Sequence, residues 1–176
     1  MADMTGDENR REYYIVRLGK LVAGNYPHAW DQNELRIRIR DLLVQGVRCF
    51  VDLTEEGEAE PYDELLKNEA IAFQQITEHH RVSIPDNDVP TNEQMKAILD
   101  VIDNKIESGR VVYIHCLFGV GRTGTVVGCY LVRHGLSGAE ALSEITRLHK
   151  GTHFEGMSSP VSRKQRDMVE HWIEGE

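Results

Sequence analysis

Nothing in this chain of 176 residues approaches the roughly 20 consecutive apolar residues that a membrane-spanning helix requires, so a membrane span is excluded. Positive charge is also scarce. Twenty Lys and Arg stand against 29 Asp and Glu, giving a net charge of −9 and a pI near 5.4. That balance argues against a nucleic-acid partner. Cysteine is limited to Cys49, Cys116 and Cys129. An odd count without paired spacing does not make a disulfide framework and fits reduced thiols in a cytoplasm. No internal repeat or low-complexity linker is present. The first ten residues, Met-Ala-Asp-Met-Thr-Gly-Asp-Glu-Asn-Arg, lack the apolar segment of a signal peptide. They read as a flexible acidic tail over residues 1–12, followed by one domain over residues 13–176, long enough to bury a core. Nothing in the sequence sets an oligomeric state.

What is there begins at residue 115: His-Cys-Leu-Phe-Gly-Val-Gly-Arg-Thr-Gly. The strand-like run Val111-Val112-Tyr113-Ile114 leads into it, and an apolar, helix-compatible run follows it. A turn that opens a helix offers unpaired backbone N–H groups and the positive end of the helix dipole, a natural anion site. Gly119 and Gly121 let successive N–H groups converge, and Arg122 adds a planar fork of donors matched to phosphate. Cys116 sits at the mouth of the same positive field, the setting in which thiols ionise and attack phosphorus. The alternative, a buried structural cysteine beside an ordinary strand–turn–helix, leaves the arginine and the glycines unexplained.

This loop resembles the signature of the cysteine-dependent protein tyrosine phosphatase superfamily, His-Cys, five residues, Arg, then Ser or Thr, and in particular its dual-specificity-like, bacterial-type members. The resemblance implies that Cys116 is the nucleophile and that Arg122 binds the phosphoryl group with the backbone of Leu117, Phe118, Gly119, Val120 and Gly121. It further implies that Thr123 assists departure of the thiolate and that His115 is a structural partner of the thiol. Residues 83–91, Ser-Ile-Pro-Asp-Asn-Asp-Val-Pro-Thr, look like the general-acid loop of such enzymes. The register favours Asp86, with Asp88 as the alternative; the other acid serves turn or cap chemistry. Gln165 is similar to the glutamine that some members use to orient the hydrolytic water, the alternative being a solvated helix residue. Residues 21–27 look like the opening strand and turn of the family, and 47–54 like its second core strand.

Strands are expected over residues 13–18 with 21–23, 47–53, 72–76 and 110–114. Asp31 with Glu34, Thr91 with Gln94, and Ser137 with Glu140 read as helix caps, and Ser159-Pro160 as the opening of a last helix with Val161, Met168, Val169 and Trp172 inward. The helix over residues 123–134 is apolar nearly all round and is expected to be central. Alternating strands and helices predict an α/β fold with a central, mostly parallel sheet flanked by helices, in agreement with the phosphotyrosine protein phosphatase-like fold that the resemblance implies.

Three other groups carry polar chemistry. His79-His80-Arg81 lacks a second cluster at ligand spacing and reads as a strand start, so no metal is expected; no organic cofactor is expected either. Glu55, Glu56, Glu58 and Glu60 read as a solvated loop. Arg163, Lys164 and Arg166 read as a solvated helix face, with a basic rim for a phosphopeptide as the alternative. The resemblance also implies something about substrate: phosphoinositide phosphatases of this superfamily tend to carry basic residues in this loop, and the absence of lysine from residues 117–121 disfavours such a substrate. The long phosphotyrosine-recognition segment of the large classical members is not recognisable either, and the resemblance to dual-specificity members implies a shallower site. The expected activity is a protein phosphatase acting on phosphotyrosine in a phosphoprotein or phosphopeptide, with phosphoserine and phosphothreonine as further candidates. Rival readings are a phosphoinositide or small-molecule phosphatase, a rhodanese-like sulfurtransferase, and a non-catalytic phosphate-binding module.

Overall fold

The computed structural model describes residues 10–28 and 31–173. The chain runs β1 (Tyr13–Arg17), β2 (Leu21–Gly24), α1 (Gln32–Val44), β3 (Val47–Asp52), α2 (Asp63–Ala72), β4 (Glu78–Arg81), α3 (Asn92–Glu107), β5 (Val111–His115), α4 (Arg122–Arg133), α5 (Gly138–Leu148) and α6 (Arg163–Glu170). The five strands form one sheet in the order β1-β2-β5-β3-β4. Only β1 and β2 pair antiparallel; β2/β5, β5/β3 and β3/β4 are parallel, as expected for a mostly parallel α/β sheet.

The period-2 alternation of the strands divides the core between the two faces. Cys49 and Val51 of β3 and Val112 and Ile114 of β5 join Ile98, Val127, Ile145 and Val169 from α3 to α6 on one face. Phe50 of β3 and Tyr113 of β5 point the other way, onto Ile39 and Leu43 of α1 and Leu66 of α2. Helix α4 lies in the centre, with nine of its residues buried in a run from Arg122 to Tyr130. Capping boxes start α3 at Thr91/Gln94 and α5 at Ser137/Glu140, and Asp31 caps α1.

Three expectations are corrected. The strand expected over residues 72–76 is instead the last residue of α2 and the turn that follows it, and the outer strand is Glu78–Arg81. Leu66, Glu69 and Ala70 share the buried side of α2, and Arg36 and Arg40 of α1 neutralise Glu69 there. Helix α6 opens at a Ser162/Gln165 capping box and not at Ser159. Val161 is about half exposed, whereas Val169 and Trp172 are buried as expected. Of the expected tail, residues 1–9 lie outside the described residues. Residues 10–12 pack on the domain: Arg10 lies 3.6 Å from Glu155, the Arg11 carbonyl accepts from His153 N, and Glu12 pairs with Arg38.

The fold sets the site through register. Gly24, His115, Asp52 and Arg81 lie side by side at the carboxyl ends of β2, β5, β3 and β4. The segments that follow β3, β4 and β5 therefore leave the sheet at one edge, where parallel α/β sheets assemble their ligand sites.

Candidate active site

The loop from Cys116 to Gly121 turns tightly between β5 and α4. Gly119 has φ +73°, and a Cβ there would stand 2.7 Å from Gly24 C and 2.8 Å from Asn25 N, so only glycine lets this loop lie against the turn after β2. The Leu117 carbonyl accepts from Tyr26 N (3.1 Å), and the Leu117 side chain packs on the α1/α2 face. The Val120 carbonyl accepts from Ser159 Oγ (2.7 Å). Phe118 is 70% exposed. Helix α4 has no side-chain cap, which leaves the N–H groups of its first turn for an anion.

Cys116 is a free thiol, nearly buried at the start of this loop. Arg122, near it, is itself only 2% exposed. Arg122 Nη1 donates to Glu58 Oε2 (2.8 Å) and the Ile84 carbonyl (3.1 Å), and Nη2 pairs with Glu58 Oε1. Asp86 Oδ1 lies 3.4 Å from Nη2. Nε is buried with no hydrogen-bond partner. The Arg122 hydrogen bond keeps the Glu58 carboxyl below its ordinary range, so both members of the pair stay charged. Glu58 was expected to be solvated; that reading is corrected, since its side chain is mostly buried against Arg122.

Below the loop, His115 is fully buried and burial drives its pKa down to about 4, so the ring is neutral at neutral pH. Its Nε2 stands 2.7 Å from the Tyr62 hydroxyl; a hydroxyl donating there leaves the ring proton on Nδ1, which is 3.8 Å from Asp52 Oδ1. Asp52 Oδ1 accepts from Thr54 N (2.9 Å) and Thr54 Oγ1 (2.6 Å), and Oδ2 accepts from Arg81 Nη2 (2.9 Å) and Nε (3.2 Å). Burial pushes the Asp52 carboxyl up, but the neighbouring His79 and the Thr54 donors outweigh it and hold it below the ordinary range. The Asp52, His79 and His115 ring and carboxylate atoms lie close enough to share a cation. The Arg81 guanidinium already supplies the positive charge at Asp52, so these residues do not fit a metal.

The two acids of the 83–91 segment have different surroundings. Asp88 N donates to the Pro85 carbonyl, closing a tight turn in which Asn87 adopts φ +58°. Asp86 is exposed toward solvent on one side and faces Arg122 on the other. Asp88 Oδ1 is taken by Val89 N and by Lys164, whose ammonium lowers the Asp88 pKa. Gln165 is 1% exposed, so it is not a solvated helix residue. Its Nε2 donates to the Asp88 carbonyl (3.2 Å) and its Oε1 accepts from Ser162 N (3.1 Å), placing the amide over Gly121. Arg166 fastens the preceding segment through the Pro160 carbonyl (2.9 Å), and Arg163 projects into solvent. Thr123 is buried beside Arg122, and its Oγ1 has no partner.

Of the residues singled out in the sequence, Cys116, Arg122, Thr123, Asp86 and Gln165 thus come together around one loop, with His115 beneath it. Glu58, Tyr62, Asp52 and Ser159 were missed. The signal for Glu58 was available: a buried arginine requires a counter-charge, and the segment after β3 carries four glutamates.

A family described as a polymorphic toxin system, DSP-PTPase phosphatase matches residues 27–136, most of the chain from the opening turn through α4. The chain belongs to this family. It is a member of the cysteine-dependent protein tyrosine phosphatase superfamily, whose proteins are hydrolases. It is 30% identical over 100 residues to the dual specificity protein phosphatase CDC14B of Mus musculus, a match covering 56% of this chain and 19% of that protein. The chain spans less than half the length of the curated relatives it matches. Among solved structures, a mutant form of Tk-PTP is 28% identical with a TM-score of 0.69, covering 90% of this chain and 91% of the other. PTPMT1 in complex with PI(5)P has a TM-score of 0.67 at 21% identity over 90% of this chain and 92% of the other, a likeness of fold. The fold is thus phosphotyrosine protein phosphatase-like. No helix among the described residues is long and apolar enough to cross a membrane.

Proposed function

We propose that the chain is a cysteine-dependent protein phosphatase that hydrolyses phosphotyrosine, and phosphoserine or phosphothreonine less rapidly, through a phosphocysteine intermediate. The observation that carries this reading is the incomplete partnering of Arg122. A buried guanidinium with a free Nε, at the uncapped start of α4 and beside Cys116, is a receptor for an oxyanion.

In the first step Cys116 Sγ attacks phosphorus. The S–P bond forms as the P–O bond to the substrate breaks, while Arg122 and the N–H groups of residues 117–122 hold the equatorial oxygens. Asp86 gives its proton to the leaving oxygen. In the second step water attacks phosphorus, Asp86 takes its proton, and the S–P bond breaks, the returning thiolate being stabilised by Thr123 Oγ1. Gln165, fixed over Gly121, orients that water through its amide. Glu58 holds Arg122 by both Nη1 and Nη2 and so leaves Nε for the phosphoryl group. No step requires a metal or an organic cofactor.

The absence of lysine or arginine from residues 117–121 supports a single phosphoryl group over the crowded charge of a polyphosphorylated lipid head group. The Asp86–Arg122 proximity supports a phosphatase over a sulfurtransferase, which has no use for a proton donor there. The test is hydrolysis of para-nitrophenyl phosphate, reduced and with chelator present, by the wild type and Cys116→Ser. Wild-type turnover with a loss on the order of 10⁴-fold in the variant is expected. Equal turnover in both, or a requirement for added metal, would overturn the scheme.

A further inference from the structure

We infer that the site selects phosphopeptides carrying lysine or arginine beside the phosphorylated residue, a refinement that rests on the phosphatase reading above. Two independent observations meet here. The first is the anion receptor itself, the buried Arg122 with its unpartnered Nε. The second is the acidic run on the segment that holds it. Glu55 N donates to Glu58 Oε2 (2.9 Å) and Glu58 N to the Glu55 carbonyl (3.2 Å), so residues 55–58 close a turn directly on the carboxylate that holds Arg122. Glu55 and Glu56 are thereby set at the rim with their side chains exposed. Glu60 is exposed at the other end of the same segment, anchored where its carbonyl accepts from the Tyr26 hydroxyl (3.0 Å). Asp86 completes the ring from the opposite loop. The Lys164 ammonium is spent on Asp88.

A ligand for this surface needs an anion at the centre and positive charge outside it. A multiply phosphorylated ligand meets the acidic rim with more negative charge than Arg122 can neutralise. A phosphopeptide with basic flanks matches both parts, and complementary fields raise its rate of encounter. Phe118 extends the match. It stands 70% exposed next to Leu117, whose carbonyl is fixed to the same Tyr26 that anchors Glu60. The aromatic face there can receive the aliphatic stem and cation of a lysine or arginine while the charge reaches the glutamates.

The experiment uses phosphotyrosine peptides identical except for lysine or arginine, glutamine, or glutamate in the flanks. Binding is measured to Cys116→Ser and turnover with the wild type. The basic peptide is expected to bind and turn over about tenfold better than the acidic one. The gap should close as salt approaches about 1 M, where the Debye length is about 3 Å. The pair Glu55→Gln and Glu56→Gln should lower the basic-to-acidic ratio by about threefold, read within each sample. Equal or reversed preference in the binding arm overturns the inference, as does faster turnover of vesicles containing a polyphosphoinositide. Aryl phosphate turnover in the same wild-type sample separates the two levels. With it intact and no peptide preference, only the selectivity fails; without it, the phosphatase reading fails.

Discussion

Asp52 and Arg122 are both buried, both charged, and both at the carboxyl edge of the sheet, yet their surroundings treat them oppositely. Every oxygen of Asp52 is occupied, Oδ1 by Thr54 and Oδ2 by Arg81, with His79 Nε2 3.3 Å away. Arg122 has a strong counter-ion in Glu58 but keeps a buried donor without a partner. A fully partnered buried charge holds structure, since its desolvation is offset within the protein. A buried charge with one donor unmet and an open side toward an uncapped helix is offset only when a ligand arrives. His115 lies between the two clusters, with Nδ1 3.8 Å from Asp52 Oδ1 and the nucleophile next in sequence.

The largest effects should separate these roles. Arg122→Lys retains the positive charge but loses the planar fork, and turnover is expected to fall about 10³-fold with little change in unfolding free energy. Asp52→Asn leaves Arg81 and its neighbours without their anion, and is expected to cost about 2–3 kcal/mol in denaturant unfolding while turnover of the folded fraction falls less than tenfold. Loss of activity without loss of stability in Asp52→Asn would show that the lower cluster belongs to the chemistry.

A finer contrast lies within one loop. Asp86 faces Arg122 and Asp88 is bound to Lys164, so Asp86→Asn is expected to lower turnover about 10²-fold and Asp88→Asn less than about threefold. The Asp86 loss should shrink as the leaving group becomes more acidic, because a good leaving group needs no proton in the transition state. A loss independent of the leaving group would reduce Asp86 to a positioning role beside Arg122.

How much of this was legible in the sequence follows from the range of each interaction. The cradle is local: Cys116, the glycines and Arg122 are placed by one strand–turn–helix, so their order along the chain already states their geometry. The caps at Thr91 and Ser137 are local in the same way. Glu58 and Arg122 are 64 residues apart, and nothing local distinguishes Glu58 from Glu55, Glu56 and Glu60, which do remain exposed. Strand β4 was misplaced because it is an edge strand whose residues, Glu78, His79, His80 and Arg81, are polar and held by ion pairs with Lys105, Arg110 and Asp52 and by the contact of His79 with Asp63. Hydrophobic periodicity has nothing to report there. Helix α2 was hidden for a related reason, its buried side including Glu69, whose partners come from α1.

The contrast between partnered and unpartnered groups also has a reading in pH. His115 and His149 are both buried with pKa values driven down to about 4 by burial, against about 6.5 in an unfolded chain. Between those values the unfolded state binds more protons, so stability rises with pH; their contribution is complete above about 6.5 and lost as pH falls toward 4. His115 has the Tyr62 hydroxyl at 2.7 Å. The ring nitrogens of His149 are buried without a side-chain partner, with the Phe154 backbone beside them, and the ring lies 4.6 Å from Tyr14 and 5.3 Å from Phe154 between centroids. A phenylalanine matches that aromatic setting and carries no titrating group. His149→Phe is therefore expected to retain about 2 kcal/mol at pH 5 that the wild type loses relative to neutral pH, seen by denaturant unfolding across this range. Site chemistry is untouched by this change, so turnover at neutral pH serves as the control. Parallel stability profiles for variant and wild type would assign the acid sensitivity to His115, and with it to the partnered cluster beneath the nucleophile.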